Sequence, residues 1–155
     1  MHNFILFASY FFQQEFNFFV KCAPVDKTGY ALLEENQYPQ SEDMFNMALS
    51  YRSVKKWFFR YAQGYRDHKQ YDRARMMYKA VLQRYNHDKK AGLEWADMEH
   101  SDLYNYEEAE RIVKREVLDY SINDYDGILK LGDIYLDWAT EKDDSKYKNA
   151  LEQYN

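Results

Sequence analysis

One segment of the chain is written twice. Tyr71–Tyr85 reads "YDRARMMYKAVLQRY", and Tyr106–Tyr120, 35 residues on (106 − 71), reads "YEEAERIVKREVLDY". Both open on Tyr and an acid, place Ala fourth and Lys ninth, and close on Tyr. Each has helical spacing and neither contains Gly or Pro, so each predicts one helix. Small residues recur in the same register. Ala62, Ala96 and Gly132 stand 34 and 36 apart, and Ala74, Ala109 and Ala150 stand 35 and 41 apart. A helix hairpin cannot bury its apolar stripe alone, so a period near 34 residues predicts hairpins stacked into an array. The fold class expected is all-α, with antiparallel helix hairpins stacked as an α-solenoid.

The punctuation suits this. "CAPVDKTG" (22–29) reads as a first break, followed by a short helix over 29–36, and "NQYPQS" (36–41) reads as a second break, with Ser41 as an N-cap. Apolar positions from 44 to 65 make one stripe, either a single long helix or two helices bent near Ser53. Helices are then predicted over 71–85, 91–100, 106–120 and 125–139. "YKNALEQYN" begins another that the chain end cuts short. The division expected is an N-terminal helical segment over 1–54 and two and a half to three repeats over 55–155.

With 155 residues the chain is long enough to bury a core, and 16 Tyr and 10 Phe supply bulky packing groups. A net charge of −5 argues against direct nucleic-acid binding. A single cysteine, Cys22, excludes an intrachain disulfide and a cysteine-based zinc site and reads as a small buried or half-buried thiol. "FILFASYFF" (4–12) is too short for a membrane helix. No basic residue precedes it and no cleavage site follows it, so it is a poor signal peptide. Residues 4–20 instead read as an aromatic helix packed on the rest, with a membrane or partner anchor as the alternative. The compartment stays open, with the cytoplasm preferred.

No catalytic pattern emerges. The four histidines are scattered, and Asp97 and His100 read as a surface contact. "INDYDG" (122–127) has Ile122 where a calcium loop needs its first ligand, so it reads as an inter-repeat turn. No phosphate loop and no nucleophile elbow is present. Neither an enzyme, a cofactor, a metal nor a small-molecule substrate is expected.

The third unit, "ILKLGDIYLDWA", places Leu131, Gly132 and Tyr135 as the Leu-Gly-x-x-Tyr block of the tetratricopeptide repeats, and "YDRA", "YEEA" and "YKNA" are similar to that family's second helix. Over about 55–155 the chain resembles this family, although the closing Pro of each repeat is absent. The resemblance implies a right-handed solenoid whose first helices line a groove. Carried over by register, the groove positions are Lys56, Phe59, Gln63, Arg66 and Asp67 in the first unit. The second contributes Lys90, Leu93, Asp97, His100 and Ser101, and the third Asp126, Leu129, Asp133, Leu136 and Asp137. Asp97 and Asp133 stand where carboxylate-clamping members carry Asn, which argues against a chaperone clamp.

The function expected is a non-catalytic scaffold binding a protein or peptide of mixed charge. The alternatives are an RNA-processing assembly scaffold of the half-a-tetratricopeptide type, which "LEWADME" resembles, and a helical domain of a larger enzyme. A third is a structural subunit similar to the spirochaete flagellar collar, from "LGDIYLDWA…SKYKNALEQY".

Overall fold

The computed structural model describes residues 23–154. The expectations for residues 4–20 and for Cys22 lie outside the described residues. Among those described there is no strand, and neighbouring helices pack in pairs. The chain divides into two compact units, one ending at His68 and one starting at Lys69.

The first unit contains α1 (described over 23–34), α2 (Tyr38–Tyr51) and α3 (Lys55–Asp67). The break expected at 22–29 is not found, because helix runs through it. The Phe45 ring lies 2.6 Å from where a Cβ on Gly29 would stand, so packing on α2 holds this glycine helical. The turn that closes α1 holds Asn36, whose φ of 59° lies in the left-handed region that Asn tolerates. Around it Gln37 N–H donates to Leu32 C=O at 2.8 Å and Asn36 N–H to Leu33 C=O at 3.0 Å.

Ser41 is not the N-cap expected for the next helix. α2 starts three residues earlier (41 − 38), with its proline in the first turn, where a missing N–H costs nothing, and Ser41 is buried inside the helix. The stripe over 44–65 is two helices, since Arg52 turns extended (φ −150°, ψ 103°). The unit's core is aromatic. Phe45 stacks on Tyr61 at 4.0 Å and meets Tyr30 and Tyr65 edge-on at 4.9 and 5.6 Å. The buried Asp26 carboxylate accepts from Tyr61 Oη at 2.9 Å.

The second unit contains α4 (Tyr71–Arg84), α5 (Lys89–Asp97), α6 (Tyr106–Val113), α7 (Tyr125–Glu141) and α8 (Lys146–Tyr154). Each packs on the next, and α5 also touches α7. α5 and α6 both run on into a wider π turn, Met98–Asp102 and Lys114–Leu118 respectively. The helix starts repeat as the sequence does. Asp88 accepts from Ala91 N–H at 3.0 Å, and Asp124, 36 residues on (124 − 88), accepts from Gly127 N–H at 3.0 Å. Lys89 then ties one start to the next, reaching Asp124 at 3.0 Å and Asp126 at 2.9 Å.

Val117 occupies a notch made by two glycines. Its methyls lie 3.2 Å from where a Cβ on Gly92 would stand and 2.9 Å from one on Gly127. Proline is not needed to stop these helices. Asn86, His87 and Tyr104 follow helical segments with φ of 47°, 59° and 52°, and a left-handed residue ends a helix as well.

Candidate functional site

The site is built on α5 and α7 of the second unit, which touch one another. An open groove of about 330 Å³ lies there, lined by Leu93, Glu94, Asp97, Asp126, Leu129, Lys130 and Asp133. Five of these seven are positions the register assigned. Glu94 and Lys130 were missed. They are register mates (130 − 94 = 36), one acid and one base, and that charge swap was the signal available.

The charges hold one another. Lys130 Nζ donates to Asp97 Oδ1 at 2.6 Å and lies 3.2 Å from His100 Nδ1. His100 Nε2 lies 2.9 Å from Asp137 Oδ2. The His100 ring thus bridges the Lys130 ammonium and the Asp137 carboxylate. His100 is therefore not the surface neighbour of Asp97 that helical spacing suggests. It is 6% exposed, turned inward on the π turn after α5, and Lys130 of α7 separates it from Asp97. Asp133 accepts from Tyr154 Oη at 2.8 Å, and burial foremost, with this bond, pushes the Tyr154 phenol up to about 12. Lys90 faces Glu94 at 3.4 Å. Leu136 is 41% exposed, and Ser101 stands exposed beside Asp97 at 3.4 Å.

The first-unit positions are all on α3. Lys56, Gln63 and Asp67 are exposed, Phe59 and Arg66 are half-buried, and Gln63 donates to Asp67 at 2.7 Å.

"INDYDG" has its own explanation. Asp124 caps α7, and together with Asp126 it binds the Lys89 ammonium. The Gly127 N–H foremost, and then Lys89, hold the Asp124 carboxyl below its usual range against a smaller opposing effect of burial. Among the described residues no group of three or more His, Cys, Asp or Glu could hold a metal ion, and no helix is long and apolar enough to cross a membrane. No family model matches the chain, and no curated protein matches it.

Chemically, the groove offers two leucines as an apolar floor and acids at its walls, with Lys130 recessed between them at 17% side-chain exposure. That arrangement can hold an apolar side chain and orient charges beside it.

Proposed function

We propose that this chain is a non-catalytic scaffold of the tetratricopeptide kind, its hairpins turning right-handed, and that it binds a peptide or protein surface of mixed charge across α5 and α7. The observation that carries this reading is the groove between first helices. Leu93 and Asp97 of one repeat meet Asp126, Leu129 and Asp133 of the next across α5 and α7. A ligand lying across both helices meets two repeats at once, and the charges fix its direction more than its affinity.

The acids chosen to test this must be ones the fold can spare. Asp137 is unsuitable because it holds the buried His100. Asp126→Asn with Asp133→Asn removes two charges at constant size, and an amide oxygen still accepts from Tyr154. A photo-crosslinking residue at position 129 captures the partner, whose affinity is then measured for both forms. The double variant is expected to bind about tenfold more weakly, with a flatter salt dependence and a melting temperature within a few degrees of the native chain. Unchanged affinity would overturn the reading.

A further inference from the structure

A second cavity, of about 360 Å³, opens on another side of α5. Its lining comes from α4 and the turn after it (Lys79, Leu82, Gln83, Asn86, His87), from Trp95 on α5, and from Arg115 and Glu116 on the second π turn. Two residues along a helix turn the direction by about 200°. Trp95 therefore faces away from Leu93 and Asp97, and this cavity is separate from the groove.

Its floor is apolar, formed by the buried Leu82 and Trp95. Its rim carries donors. Lys79 Nζ is held 5.2 Å from the Trp95 ring centroid, which places the ammonium at the mouth. Among the described residues the Lys79 ammonium forms no ion pair, and the Gln83 and Asn86 amides form no hydrogen bond. The acid in the wall, Glu116, is already engaged. Arg115 Nε donates to it at 2.6 Å, and His87 Nδ1 stands 3.6 Å from its other oxygen. Glu108, which Arg111 foremost and the Lys79 charge to a lesser degree hold below its usual range, is likewise engaged by Arg111. The lining residues Lys79, Arg115 and Glu116 thus sum to one positive charge, in a chain of net charge −5.

We infer that this cavity binds a carboxylate carried next to an apolar side chain, as in an acidic peptide segment of a partner. One lysine and two amides match a singly charged carboxylate better than a doubly charged phosphate, because Arg115 already spends its charge on Glu116. The Trp95 and Leu82 floor accounts for the apolar neighbour. His87 stacks on Tyr120 at 3.7 Å, and Asn86 and His87 both have positive φ, so the wall between α4 and α5 has a set shape.

The test uses the full chain, nitrogen-labelled, titrated with an acetylated peptide of alternating Glu and Leu and, separately, with inorganic phosphate. Amide shifts confined to the turn after α4, the second π turn and the Trp95 indole N–H are expected with the peptide. Lys79→Ala and Gln83→Ala, both at exposed positions, are expected to weaken binding about tenfold while leaving the spectrum folded. Asp126→Asn with Asp133→Asn is expected to leave it unchanged, which separates this site from the groove. Absence of local shifts at millimolar peptide would overturn the inference. So would shifts that survive Lys79→Ala, or phosphate producing the same saturating shifts as the peptide.

Discussion

Glu99 is a carboxylate with no exposure, set in the π turn after α5. Arg75 of α4 grips it with two hydrogen bonds, at 2.6 and 2.8 Å, and the Trp95 indole N–H adds a third at 2.9 Å. The Arg75 guanidinium is held charged by that grip. Removing one member of such a pair leaves the other buried and uncompensated, at about 3–5 kcal/mol. Arg75→Ala should therefore lose about that much stability in a urea melt, while Arg75→Met with Glu99→Leu should lose far less. Equal losses would show that the pair is not coupled. In the first unit, Asp26→Ala removes the buried carboxylate that accepts from the Tyr61 hydroxyl and should cost about 1–3 kcal/mol in the same measurement.

At the scale of elements, hairpins meet where side chains are smallest. A methyl on Gly127 would stand 2.9 Å from both Val117 and Leu118, closer than packed carbons come. Gly127→Ala should therefore force α7 off the second π turn and cost about 1–3 kcal/mol by denaturant titration. At Gly92 the nearest atoms are 3.1 and 3.2 Å away, so Gly92→Ala should cost less. The reverse order would mean that Val117 does not set the spacing. The π turns belong to the same design. Each adds a residue to its helix end, and they carry Glu99, His100 and Glu116 to buried positions.

For the molecule as a whole, three raised tyrosines make stability fall in alkali. Burial is the main cause that pushes the Tyr30 and Tyr154 phenols up to about 12, and it also raises Tyr106, whose hydroxyl bonds Glu141. Unfolded tyrosines lose their proton near 10. A raised folded value gives stability that is whole below about pH 10 and drains away as pH rises toward 12. The tyrosinate absorbance of these three should therefore rise together with loss of helix. On the acid side, Glu108 is held below its usual range by Arg111. Glu110 is lowered by Lys114 and Tyr135 despite its burial. These contributions are complete above about pH 4.3, the unfolded glutamate value, and fade as pH falls through the lowered ones.

From residue 71 on, the helices, their approximate limits and the repeat spacing were legible in the sequence, because period and small-residue register are local and need no partner. The register also pointed to Leu93, Asp97, Asp126, Leu129 and Asp133, which the fold gathers round one groove. Three of the misses have a tertiary cause. Gly29 looked like a break, and only the Phe45 ring makes it helix. Asp97 and His100 looked like neighbours, but a π turn rotates one inward and Lys130, 30 residues beyond His100, enters between them. The Trp95 cavity joins α4, α5 and the second π turn, segments far apart along the chain. Periodicity states which face of a helix is apolar. Which charge meets which across two helices depends on their separation and rotation, and the packed core alone sets those.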